Sequence, residues 1–125
     1  MTVYSSPGVP TSVSISENDS TADLTWAAPF YDGDTPITAY KVFVAAVDTV
    51  TYYEETTDCV AVAILNELAC SLKFSTLYAA PYSLGAYDGV SAYVVAVNDW
   101  GESVASAVVS MAVTIFVPDA PTAFV

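Results

Sequence analysis

The chain has 125 residues, 54% hydrophobic and 13% charged, with 14 acidic residues against two basic ones and a formal net charge of −12. That length carries one domain with a real core, and the charged share is about half the ~25% usual in soluble domains. With Lys41 and Lys73 as its only side-chain cations, the chain cannot neutralise phosphates, so nucleic acid and anionic membrane are poor partners and a cation such as Ca²⁺ is a better match.

No run approaches the ~20 apolar residues of a membrane span, so direct membrane insertion is not expected. Met1-Thr2-Val3-Tyr4 lacks the basic region and apolar core of a signal peptide. Cys59 and Cys70 are the two cysteines, and no histidine is present to complete a metal site with them. A Cys59–Cys70 disulfide is the simplest reading, and it places the protein in an oxidising setting, extracellular or at the cell surface.

In chain order, residues 1–12 are rich in Ser, Pro and Thr and read as a leading linker. Val13, Ile15 and Glu17 begin a first strand, which stops at Glu17-Asn18-Asp19-Ser20. Ala22-Asp23-Leu24-Thr25-Trp26 alternates at period two, the pattern of a half-buried strand with Leu24 and Trp26 inward. Tyr31-Asp32-Gly33-Asp34-Thr35-Pro36 is a turn by composition. A long strand is expected from Ile37 to about Val47, with Tyr40, Val42, Val44 and Ala46 on one face and Ile37, Ala39, Lys41, Phe43 and Ala45 on the other.

The region from Val50 to Glu55 reads as another strand. Between Cys59 and Cys70, the alternating Val60, Val62 and Ile64 compete with Ala, Leu, Asn and Glu, so a strand with a loop and a helical turn both remain open. Leu72, Phe74 and Thr76 restore the alternation, and Ala80 to Gly85 forms a connection. Val90 to Asn98 is a strand with no polar face. One face must then be covered, either by a flanking repeat, a neighbouring chain or glycans, or by edge loops and tyrosine rings. Asn98-Asp99-Trp100-Gly101-Glu102 turns the chain into a last strand from Val104 to Val117, bent partway. Seven or so strands in one domain make an all-β, two-sheet antiparallel sandwich.

A short stretch occurs twice. Pro7-Gly8-Val9-Pro10-Thr11 is echoed by Pro118-Asp119-Ala120-Pro121-Thr122, the two copies being offset by 118 − 7 = 111. Such self-similarity suggests one period of a tandem array. The expected organisation is 1–6 as the end of a preceding repeat or linker, 7–117 as the domain, and 118–125 as a linker and the start of the next repeat. The junction residues are Pro7, Pro10, Val117, Pro118, Pro121 and Phe124, with the prolines stiffening the joint.

Pro10, Trp26, Ala28-Pro29 and Asp32-Gly33-x-x-Pro36-Ile37-x-x-Tyr40-x-Val42 resemble the first half of a fibronectin type III domain. Ala96-Val97-Asn98-x-x-Gly101-x-Ser103-x-x-Ser106 resembles that family's sixth strand and its turn. The resemblance covers roughly residues 7 to 117 and implies an immunoglobulin-like sandwich whose core holds Leu24, Trp26, Tyr40, Val42, Val94 and Ala96. Two departures stand out. The tyrosine usual eight residues before Asn98 is replaced by Val90, so its side-chain clasp must be absent or supplied elsewhere, by Tyr87 or Tyr93. The Cys59–Cys70 segment is an insertion, and its pattern looks similar to repeats of large surface proteins of ciliates and other protists.

Without His or Arg, and with both cysteines paired, no Ser/His/Asp or Cys/His arrangement can be built, so the chain does not read as an enzyme. Paired carboxylates at Asp32 with Asp34, or Glu54 with Glu55, read as turn or solvated residues in preference to a glycosidase pair. An isopeptide link from Lys41 or Lys73 to Asn98 is a minor alternative. No cofactor is expected; Asp32, Asp34, Asp99, Glu102 and Asp119 are weak Ca²⁺ candidates against a reading as solvated acidic turns. Asn18-Asp19-Ser20 is an N-glycosylation sequon in a predicted turn, with an ordinary Asx turn as its alternative. The expected function is a structural spacer or filament-forming repeat whose partners are neighbouring copies or flanking repeats. The alternatives are an adhesion module recognising a protein or glycan through its inter-strand loops, and an accessory module of an enzyme.

Overall fold

The computed structural model describes residues 3–18, 21–48, 50–84 and 89–112. Its strands are β1 (Thr11–Glu17), β2 (Thr21–Ala27), β3 (Ala39–Ala45), β4 (Tyr52–Glu54), β5 (Ala69–Lys73), β6 (Gly89–Asn98), β7 (Gly101–Glu102) and β8 (Val109–Ala112). Two short helices interrupt them, α1 (Ala61–Glu67) and α2 (Phe74–Tyr78). One sheet runs β1-β2-β5; the other runs β4-β3-β6-β7, with β8 also on β6, and every pairing is antiparallel. The architecture is the two-sheet, all-β sandwich that the alternation implies.

The core forms where the inward positions of the two sheets meet. Ala22, Leu24 and Trp26 of β2 and Cys70 and Leu72 of β5 face Tyr40, Val42 and Val44 of β3 and Val90, Ala92, Val94 and Ala96 of β6, all buried. Trp26 packs against Tyr40 with ring centroids 5.6 Å apart. Its indole nitrogen is buried without a hydrogen-bond partner among the described residues, a cost of about 1–3 kcal/mol that the packing of so large a ring offsets.

Two segments differ from the period-two reading. Val60, Val62 and Ile64 match an alternation, yet 61–67 is helical, with Leu68 closing it in the left-handed region at φ 55°. Cys59 and Cys70 are 11 residues apart in sequence, but their disulfide holds the Cα atoms 5.3 Å from one another. Eleven extended residues span roughly 36 Å, so the intervening chain must coil back. The second difference is at Phe74 and Thr76, where the expected strand ends at Lys73 and α2 follows. Phe74 and Leu77 are buried one helical turn apart, so the apolar spacing there is three, which the alternation of Leu72, Phe74 and Thr76 conceals.

The outer face of β6 is apolar, as expected, and its cover comes from aromatic rings of the same sheet. Tyr93 stacks on Phe43 of β3 at 5.0 Å and meets Tyr52 of β4 at 5.0 Å.

The last strand is interrupted. Glu102 pairs with Val97 and Val109 with Ala92, so the returning chain is two positions longer than the stretch of β6 it faces (109 − 102 = 7 against 97 − 92 = 5). Two buried serines absorb the surplus. The Ser103 amide donates to the Ala96 carbonyl at 2.8 Å, and the Ala96 amide donates back to Ser103 Oγ at 3.0 Å. Ser106 and Val94 repeat the arrangement at 3.0 Å in both directions. Each hydroxyl oxygen thus stands in for a backbone carbonyl, leaving no buried amide of this stretch of β6 unpaired.

The clasp displaced from Val90 has a counterpart among the described residues, and it is not Tyr93. Tyr87 lies outside the described residues and Tyr93 belongs to the outer face. Instead Tyr82, buried in the connection after α2, donates its hydroxyl to Glu55 Oε1 at 2.6 Å. Glu55, expected to be solvated or to sit in a turn, is buried, and its other oxygen accepts from the Asp58 amide at 2.7 Å. Asp58 in turn accepts from the Lys73 amide at 2.8 Å. This relay ties the β4–α1 loop to both the end of β5 and the segment that follows α2.

Two expected outcomes follow. Removing the disulfide by a paired Cys59→Ala and Cys70→Ala substitution should lower unfolding free energy by about 3 kcal/mol, the loop-closure contribution for a ring of this length, read from denaturant curves. The Tyr82 phenol is pushed far above its ordinary value of 10.0 by burial, its hydrogen bond to Glu55 and the nearby carboxylates. The folded chain therefore holds that proton more tightly than the unfolded one; the contribution is complete below about pH 10 and is lost as pH rises beyond it. Tyr82→Phe should cost roughly 1–3 kcal/mol at neutral pH and flatten the alkaline fall in denaturant midpoint. An equally steep fall in both proteins would contradict the assignment.

Candidate functional site

The amino-terminal segment, expected as a linker, is built into one end of the sandwich. The Ser5 amide donates to the Gly33 carbonyl at 3.1 Å and the Gly8 amide to the Tyr31 carbonyl at 2.8 Å. Pro7 and Pro10 are buried. Docking begins at Tyr4 and Ser5, ahead of the boundary placed at Pro7. Sequence could not show this, because the contacts of Ser5 with the body use its backbone and leave no side-chain signature.

Asn98 holds the arrangement together. It is buried at the end of β6, and its side-chain amide donates to the Ser5 carbonyl and to the Asp32 carbonyl, each at 2.8 Å. Its oxygen accepts from the Trp100 amide at 2.8 Å, closing the β6–β7 turn. One side chain thereby joins three separate pieces of chain. Gly33 makes this possible: its φ is +87°, and a Cβ there would lie 2.0 Å from the Ser5 carbonyl oxygen and 2.6 Å from Asn98 Nδ2. No larger residue fits that approach.

Around this joint lie exposed aromatic residues. Tyr4 stacks on Trp100 with centroids 5.6 Å apart and planes 11° from parallel. Trp100 is 60% exposed, and Phe30, beside Tyr31 in the facing loop, is 96% exposed.

The other sequence candidates are placed as follows. Asp32 Oδ1 accepts from the Asp34 amide at 2.9 Å, and Asp34 accepts from the Tyr31 hydroxyl at 3.4 Å, the bonding of an acidic turn. Glu102 pairs with Lys41 across the sheet, which raises the lysine pKa, first through that hydrogen bond. Asp99 is exposed. Among the described residues no three His, Cys, Asp or Glu side chains gather as metal ligands. The structure does not join Lys41 or Lys73 to Asn98, whose amide is taken by Ser5 and Asp32. Asn18 is exposed after β1, and its backbone amide donates to Thr21 at 2.8 Å. Val117, Pro118, Asp119, Pro121 and Phe124 lie outside the described residues.

Asn98→Ala would leave the Ser5 and Asp32 carbonyls and the Trp100 amide without this partner. It should lower stability by about 2–4 kcal/mol, and Gly33→Ala should do likewise by expelling Ser5. Denaturant unfolding followed by tryptophan emission checks both, and a change within experimental error for either would contradict the geometry.

No protein-family profile matches the chain, and no curated protein matches it. Solved structures do resemble it. The chain is similar to titin kinase with its flanking domains (22% identity, TM-score 0.64, covering 87% of this chain and 17% of that one). It is similar to domains A168–A170 of titin (22%, 0.64, covering 86% and 32%) and to the FN1–FN3 domains of chicken CNTN1 (18%, 0.64, covering 86% and 33%). The chain thus spans a third or less of each of those proteins. At these identities the likeness speaks to fold alone, and the fold it shows is the fibronectin type III-like sandwich.

Proposed function

We propose that the chain is a non-catalytic extracellular repeat, a spacer or filament-forming unit of a tandem-array surface protein whose partners are neighbouring copies of itself. Domains of this fold are commonly structural or binding modules, which supports the coarse reading. The observation that carries the finer one is the pairing of sequence recurrence with structure. The stretch from Pro7 to Thr11, which recurs from Pro118 to Thr122, continues the segment that Asn98 and Gly33 lock into the body. Its recurrence supports reading 118–125 as a linker and the start of a next unit. The Cys59–Cys70 disulfide fits an oxidising compartment, and the exposed Asn18 is compatible with a glycoprotein.

A second reading, adhesion to a protein or glycan through the loops, draws its support from Phe30, exposed in the loop before Asp32. A glycan and protein array with no binding would remove that support.

Electron micrographs of the native protein should show extended head-to-tail arrays, and isolated globular monomers would overturn the reading. The same account expects a tryptophan to follow Pro121 in the longer chain at the spacing by which Trp26 follows Pro10 (26 − 10 = 16), hence at position 121 + 16 = 137.

A further inference from the structure

The Asn98 end carries four exposed aromatic side chains, Tyr4, Phe30, Tyr31 and Trp100. They come from three pieces of chain that the Asn98 side chain draws together. Tyr4 precedes Ser5, and Phe30 and Tyr31 precede Asp32; the Ser5 and Asp32 carbonyls both accept from the Asn98 nitrogen at 2.8 Å. The Trp100 amide donates to the Asn98 oxygen at 2.8 Å, and Trp100 stacks on Tyr4. The Gly8 amide adds a tie to the Tyr31 carbonyl. These rings therefore stand on backbone that is already fixed, so a partner meeting them incurs little ordering cost. A group of exposed rings of this kind marks a contact surface.

Charge decides what the surface accepts. The face of an aromatic ring is the negative pole of its quadrupole and attracts cations. Asp32, Asp34 and Asp99, in the same two loops, are exposed carboxylates, so rings and loops present the same electrostatic sign. The lysines do not offset it: Lys41 is paired with Glu102, and Lys73 pairs in register with Thr21, at the opposite end of its sheet from the Phe30–Asp34 loop. With 14 acidic residues against two basic ones, the whole chain draws in a cationic partner and opposes an anionic one or a free second copy. A neutral glycan gains the ring faces and nothing from the charge. Resting on the adhesion reading, we infer that the Tyr4–Trp100 stack and the Phe30 loop receive a basic, arginine-bearing segment of a different protein. Arginine suits both halves of the surface, because its planar guanidinium stacks on a ring face and pairs with carboxylates at its edge.

The test is calorimetric titration of the full chain with a short peptide alternating Gly and Arg, and with its Gly-Ser counterpart. The Arg peptide should bind saturably, and more weakly as salt screens the charges; the Ser peptide should not bind. Trp100→Ala and Phe30→Ser should each weaken binding by about 3- to 30-fold. Asp99→Asn should weaken it by about 2- to 5-fold. Glu17→Gln removes one charge at the β1–β2 hairpin, the opposite end of the sheet, and should leave affinity unchanged. All four positions are exposed, so these substitutions leave folding intact, which thermal melts check. Equal losses from Asp99→Asn and Glu17→Gln, or full affinity in Trp100→Ala, would show attraction to net charge alone and overturn the inference. Binding of cellohexaose, a neutral sugar, without binding of the Arg peptide would overturn it too, while leaving the adhesion reading standing. That reading is judged by itself on the glycan and protein array.

Discussion

The side chain of Asn98 is the constraint on which the rest of this end of the molecule depends. It sits at the end of β6, and its amide nitrogen and its oxygen bond three pieces of backbone. In water such bonds exchange at little net gain; buried, each unmade one costs about 1–3 kcal/mol. The placement of Ser5, the close approach of Gly33 and the turn that displays Trp100 follow from the same residue. The amino-terminal segment is consequently part of the body.

A second device runs along β6. The chain after β7 is two positions too long for regular pairing, and Ser103 and Ser106 resolve the mismatch by presenting hydroxyl oxygens to the Ala96 and Val94 amides. The bulge bends the last strand without exposing β6. On the far side of the core, the Tyr82–Glu55–Asp58–Lys73 relay does comparable work for the disulfide-bracketed insertion. Polar groups thus fasten the loops to a core that is otherwise apolar, aliphatic and aromatic together.

The parts of the fold that rest on side-chain alternation were legible in the sequence. Leu24, Trp26, Tyr40, Val42, Val94 and Ala96 are each buried, because a period of two assigns faces as soon as one strand is oriented. Of the two helices, α1 was half legible, since a helical turn between Cys59 and Cys70 stood open beside a strand with a loop, and α2 was not legible. Val60, Val62 and Ile64, at the start of and within α1, mimic a strand, so alternation alone does not separate the two readings there. The docking of the amino-terminal segment was not legible: the backbone bonds of Ser5 and the stacking of Tyr4 on Trp100 carry no periodic signal. Glu55 was hidden by its neighbour Glu54, since two adjacent carboxylates look solvated until one of them turns inward.

If residues 4–10 belong to the body, the amino-terminal segment is stiff, and in the proposed array it would be part of a unit rather than a free linker. Amide hydrogen exchange at Ser5 and Gly8 in the single chain tests this most directly. The account predicts protection at both amides approaching that of core amides such as Val94 and Ala96. Exchange at the rate of an unstructured peptide would show that the segment is a tether, contradicting the assignment of the docked joint to the body.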